Sequence, residues 1–279
     1  FFRLAWLAFF VFLALVLVAQ RNHAAVPAGP HTALLEVRGE IDAGSEASAE
    51  NLVSALTSAF EDDSAQAVVL RINSPGGSPV QSGIVNDEIR RLKALHDKKV
   101  YAVVEEVCAS GAYYIAVAAD EIYVDKASIV GSIGVLMDGF GFTGLMDKLG
   151  VERRLLTAGE NKGMLDPFSP QDAKQKEYAL QMLDEIHQQF IDVVRKGRGK
   201  RLKETPEIFS GLMWTGAKSI EMGLADGYGT VDSVARDVIK AEDIRDYTVK
   251  QSFTEKFAKQ FGTEMASGVV NALTRFRLN

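Results

Sequence analysis

Three short apolar runs, at residues 33–37, 67–72 and 100–104, are each followed by a segment of different period. The first is followed by Leu52, Ala55, Leu56, Ala59 and Phe60 at helical spacing, the second by Ile84, Ile89, Leu92 and Leu95. The third is followed by residues 112–119, which are small and apolar enough for a buried helix. Short β-branched runs read as buried strands, and the 3.6-residue spacing between them reads as helices. Strands separated by helices predict an α/β fold with largely parallel strands. Residues 121–124 and 151–157 are further strand-like pieces, residues 171–195 a long amphipathic helix, and residues 214–232 a turn-rich stretch.

The junction after the third run, Cys108-Ala109-Ser110-Gly111, consists of small residues only. A serine there stands at a helix N-terminus, where unpaired N–H groups and the positive dipole end favour a developing negative charge. It can be an N-cap, a common role for serine. It can also be a nucleophile, as at the strand–nucleophile–helix turn of hydrolases, although G-x-S-x-G itself is absent. Cys108, the rival nucleophile, reads better as a small buried hydrophobe.

Three other glycine-rich pieces bear on the choice. Asn73-Ser74-Pro75-Gly76-Gly77-Ser78 enters the second helix, and its glycines can turn backbone N–H groups toward a ligand, as half of an oxyanion hole would require. The same residues are good turn formers, and no lysine follows them as a phosphate loop needs. Gly131 and Gly134 bracket Ser132, while Gly159 and Gly163 bracket Lys162.

An activated serine needs a base. His23 and His31 fall in a proline- and glycine-containing linker, and His96 and His187 read as surface residues of charged or polar helices. A Ser–His–Asp triad is therefore disfavoured, and the Ser–Lys variant is the remaining route. Lysine's reference pKa of about 10.4 must fall to roughly 7–8 for such a role, which burial can achieve.

Composition narrows the rest. The net charge of -6 argues against a general nucleic-acid binder. A lone cysteine excludes an intrachain disulfide and a cysteine zinc cluster. Residues 4–19 are 16 consecutive apolar residues, about 24 Å as a helix against a hydrocarbon core of roughly 30 Å. A signal peptide typically has an apolar region of about 7–15 residues, so the length favours an uncleaved anchor over a cleaved leader. Arg3 and Arg21 flank the run evenly and leave its orientation open.

Taken together, N-S-P-G-G at 73–77, A-S-G-A-Y-Y at 109–114, G-S-I-G-V at 131–135, G-x-x-K at 159–162 and W-T-G-A-K-S-I-E-M-G-L-A-D-G-Y-G at 214–229 resemble the signal peptide peptidase A family, the S49 serine peptidases. The resemblance implies a Clp protease/crotonase-like fold of repeated β-β-α units and a membrane-anchored peptidase that degrades released signal peptides. It implies Ser110 as nucleophile, Lys162 as general base, Ser132 as the lysine's hydrogen-bond partner, and the N–H groups of Gly77 and Gly111 as oxyanion hole. It further implies a homo-oligomer with sites at protomer contacts, no metal or organic cofactor, and a single-pass protein of the bacterial inner membrane with its catalytic domain outside the cytoplasm. The expected organisation is an anchor at 1–20, a linker at 21–32, the peptidase domain at 33–240 and a partly helical extension at 241–279. An acyl-CoA enzyme on the crotonase fold and a non-catalytic membrane scaffold are the competing readings.

Overall fold

The computed structural model describes residues 29–250. The expected anchor, the linker up to residue 28 and the tail beyond residue 250 lie outside them. Among the described residues no helix is long and apolar enough to cross a membrane. Contacts divide the chain between Pro30 and His31, and the unit that begins at His31 is the one described below.

Three long strands form its centre: β1 (His31–Arg38), β2 (Ala65–Ser74) and β3 (Lys99–Ala109). They pair in parallel, with Leu35 opposite Leu70 and Leu70 opposite Ala102. On its far side β3 pairs with β4 (Glu121–Val124) through residues 101–103 and with β5 (Ile129–Gly131) through residues 107–109. β6 (Met213–Thr215) joins β5 antiparallel, β7 (Gly227–Tyr228) joins β4, and β8 (Ile244–Asp246) lies parallel beside β1, completing an eight-stranded sheet. The α/β architecture with largely parallel strands is therefore as expected.

Alternation along the strands sets the two faces. Leu35, Val37, Val68, Leu70, Ile72, Val100, Ala102 and Val104 belong to the main core. Against them lie α1 (Ala49–Glu61), through Leu52, Leu56 and Phe60, and α2 (Pro79–His96), through Val85, Ile89 and Leu92. Burying each of these large side chains contributes roughly 1.5–3 kcal/mol. Ser48 and Ser78 cap the two helices by accepting from the N–H groups of Asn51 and Gln81, and Pro79 occupies the first turn of α2, where no intrahelical donor is lost. On the opposite face Leu34, Val69 and Val103 meet Val234.

Several expectations need correction. The third strand continues past Val104 to Ala109, because residues 107–109 pair with β5 and Cys108 lies opposite Ser74 of β2. The helix after Ser110, α3 (Gly111–Ala116), ends before the expected Ala119. Residues 151–157 form no strand and are fully on the surface. They follow a short helix, α4 (Thr143–Leu149), and no strand pairs with them. His31 is not in a linker: it opens β1, fully buried, with Nε2 2.9 Å from the Tyr247 hydroxyl, which in turn donates to Asp62. The long helix, α5 (Ala173–Arg198), runs three residues beyond its expected end, and the turn-rich stretch contains a short helix, α6 (Gly216–Glu221).

Candidate active site

Ser110 sits between the end of β3 and the first residue of α3, with φ 53° and ψ -123°. A non-glycine residue in such a region costs of order 1–3 kcal/mol and persists only when its surroundings impose it. Here its N–H donates to the Gly131 carbonyl at 2.8 Å and its carbonyl accepts from Tyr114 N–H at 3.0 Å. Ser110 occupies the N-cap position of α3, but its side chain makes no capping bond, so the hydroxyl is not spent on that role.

The glycine turn packs directly against this serine. Ile41 N–H donates to Gly76 O, and Ser78 N–H donates to Ile41 O, each at 2.8 Å. Gly76 has φ +100°, and a Cβ there would fall 2.6 Å from the Gly111 nitrogen and 2.8 Å from Ser110 Cβ. Gly77 has φ +146°, and a Cβ there would fall 2.2 Å from Ile41 O. Both positions therefore demand glycine for conformation and for space. A Cβ on Gly111 would lie 3.3 Å from the Gly77 nitrogen, so the two backbones are in contact. Neither the Gly77 nor the Gly111 N–H donates to an acceptor among the described residues. Two free donors thus stand beside a serine whose hydroxyl is not used in capping.

Ser132 follows β5, also at positive φ (52°), with its N–H donated to Leu212 O at 2.8 Å. Ser110, Gly111, Gly77 and Ser132 together line one cavity of about 560 Å³. Its apolar wall comes from Pro75, Pro79, Tyr114, Val135, Ile186 and Phe190, with the Tyr114 and Phe190 rings 5.1 Å apart. Such a volume with an apolar wall suits a ligand with an apolar side chain. The α5 residues Ile186 and Phe190 were not singled out from the sequence, because a helix face that lines a cavity has the same spacing as one that lines a core. Asn86 was missed as well. It is buried in α2, donates to the Tyr114 carbonyl at 2.6 Å and receives Arg90, which holds the end of α3.

Lys162 is not among the residues that line this cavity. It is exposed, on a turn closed by its own N–H to Gly159 O. The surrounding segment, residues 136–168, presents Leu136, Phe140, Leu145, Leu149 and Leu156 to solvent, the last 96% exposed.

Cys108 is fully buried, as expected of a small hydrophobe, and burial pushes its thiol well above the ordinary range, so no thiolate is available near neutrality. His96 is exposed as expected, but His187 is half-buried, with Nε2 3.1 Å from the Ile133 carbonyl. No three His, Cys, Asp or Glu side chains gather as a metal site among the described residues.

A further buried pair fixes α5 to the turn-rich stretch. Arg198 bonds both oxygens of Asp226 at 2.8 Å and the Gly223 carbonyl at 2.7 Å, while Asp226 also accepts from Ile122 N–H. Burial alone would push the Asp226 carboxyl up, but the Arg198 bonds and charge hold it below its ordinary value.

Comparison with known sequences adds a family. The sequence model of peptidase family S49 matches residues 93–245. A Brucella melitensis protein named Na(+)/H(+) antiporter NhaA is 51% identical over 181 residues, covering 65% of this chain and 25% of that one. A protein of Enterococcus faecium, provisionally named signal peptide peptidase SppA, is 30% identical over 200 residues, covering 72% of this chain and 58% of its own. A provisionally assigned protease of Methanocaldococcus jannaschii is 34% identical over 203 residues, covering 72% and 64%. The chain thus spans a quarter of the Brucella relative and about three fifths of the other two.

Proposed function

This chain belongs to peptidase family S49, and from that we propose that it is a serine endopeptidase in which Ser110 is the nucleophile and Lys162 the general base. The observation that carries the reading is the uncapped Ser110, held at positive φ beside two N–H groups without acceptors. In the first step Ser110 Oγ bonds to the peptide carbonyl carbon as its proton passes to the neutral Lys162 amine. The carbonyl oxygen becomes an oxyanion facing the Gly77 and Gly111 N–H groups, and losing one such donor typically costs 10²–10³-fold in kcat, about 2.7–4 kcal/mol. Collapse breaks the C–N bond, the leaving amine takes the proton back from Lys162, and water then hydrolyses the ester. Ser132 accepts from or donates to the lysine and holds it in line.

A lysine acts as a base only when neutral, and removal from water favours that form. The exposure of Lys162 in one protomer, set among exposed leucines and phenylalanines, supports assembly in which a neighbouring copy covers it and brings it to Ser110. The reading includes the Clp protease/crotonase-like fold of β-β-α units for the domain that opens with β1 and closes with β8. It also includes an anchor at residues 1–20 in the bacterial inner membrane, a catalytic domain outside the cytoplasm, and released signal peptides as substrates. The 16-residue apolar run supports the anchor.

A fluorophosphonate probe tests the chemistry. An adduct located on Ser110 by mass spectrometry is expected, and a folded protein labelled elsewhere or not at all would reject the serine. Saturable binding of coenzyme A instead would favour an acyl-CoA enzyme.

A further inference from the structure

His187 lies on the same α5 segment that supplies Ile186, Gln189 and Phe190 to the cavity. Its Nε2 stands 3.1 Å from the carbonyl oxygen of Ile133. A carbonyl only accepts, so Nε2 carries the hydrogen. Ile133 connects Ser132 to Gly134, two residues that line the cavity.

This rim has few supports. Ser132 N–H is held by Leu212 O, and the Ile133 side chain is fully buried. Beyond that point residues 134–141 make no hydrogen bond among the described residues, and the next backbone bond is Phe142 N–H to Pro167 O at 2.7 Å. The His187 bond is therefore the last tether before the exposed segment that carries Lys162. It grips the peptide unit between Ile133 and Gly134, one residue beyond Ser132, whose φ of 52° is one that a serine adopts only under constraint.

We infer that His187 is a positioning residue: its Nε2–H fixes the Ile133 carbonyl and so sets the direction of the Ser132 hydroxyl and the course of the Gly134–Val135 rim. The inference rests on the peptidase reading and adds to it a residue that touches neither substrate nor nucleophile. A displacement of about 1 Å in a catalytic group can cost roughly 10²-fold in rate, so a bond of small stability can have a large kinetic effect.

The test compares four variants of the full chain on a fluorogenic peptide, each rate normalised to the folded fraction. His187→Phe fills the ring's volume without a donor, and His187→Gln returns an N–H at similar reach. His187→Met matches glutamine in length but has no donor, and Ser110→Ala is the reference. His187→Phe and His187→Met are expected to lose about 10²-fold in kcat with the melting transition retained, and His187→Gln to recover most of that loss. If His187→Phe does not fold, the glutamine–methionine pair carries the comparison alone. Equal rates for glutamine and methionine, or wild-type turnover in His187→Phe or His187→Met while Ser110→Ala is inactive, would overturn the positioning role and leave the peptidase reading intact. Wild-type turnover in Ser110→Ala would overturn the peptidase reading itself, and the positioning role with it.

Discussion

The backbone N–H of Ser110 donates to the carbonyl of Gly131 at 2.8 Å. This bond ties the exit of β3 to the exit of β5, the two places where the chain turns into positive φ at a serine. Both serines consequently face one cavity although they leave different strands.

Ser110→Ala should lower kcat by about 10⁶-fold, the loss seen when a serine protease nucleophile is removed. Ser110→Gly should be equally inactive but at least as stable as wild type, because glycine accepts φ 53° without the strain. Steady-state kinetics and urea unfolding check the two halves; a Ser110→Gly protein clearly less stable than Ser110→Ala would count against backbone strain at this site.

Gly76→Ala would set a methyl group 2.6 Å from the Gly111 nitrogen. The expected result is a folded protein whose kcat falls by about 10²–10³-fold, as when an oxyanion donor is lost. Unchanged kcat in a folded variant would show that the Gly111 N–H does not face the reacting oxygen.

Ser110→Ala and Lys162→Ala should each be inactive alone and regain activity when mixed under conditions that let subunits exchange. The motive is that Lys162 is exposed and does not line the cavity of its own protomer. An active monomer, shown by activity and mass in the same light-scattering peak, would exclude a shared site.

Removing one partner of the buried Arg198–Asp226 pair should be costly. Arg198→Met leaves Asp226 without its counter-charge and is expected to cost about 3–5 kcal/mol by urea unfolding at neutral pH. Because the Asp226 carboxyl is held below its ordinary value in the folded state, its contribution is fully present above the unfolded value of about 3.9 and fades as pH falls through the lower folded one. The stability gap between wild type and Asp226→Asn should therefore narrow in acid, and a gap constant with pH would refute the assignment.

Deleting residues 1–25 should give a protein that no longer sediments with membranes yet still cleaves small peptides. Continued sedimentation, in the absence of aggregates, would locate the membrane attachment elsewhere in the chain.

Much of this arrangement could be read from the chain because its signals are local. The runs at 33–37, 67–72 and 100–104 alternate with helical spacing, and the glycines around Ser110 and Ser132 mark turns that only small residues permit. What escaped depends on distant partners. Residues 151–157 have strand-like composition, yet β propensity is realised only against a neighbouring strand, and none pairs with them. His31 follows proline and glycine and so reads as linker, but its ring is stacked on Tyr247, 216 residues away. Phe190 and Ile186 reach the cavity because α5 packs against α3, Phe190 against Tyr114, which no spacing within α5 reveals.

β1 lies inside the sheet with β2 on one side and β8 on the other, both parallel to it. A pull applied along the chain that enters at His31 would therefore run down the axis of this strand. Its hydrogen bonds to both neighbours would bear that force together, in shear, rather than opening one after another as at the end of a hairpin. Parallel pairing on both sides of β1 would thus make the domain resist such a pull without being unzipped from that end.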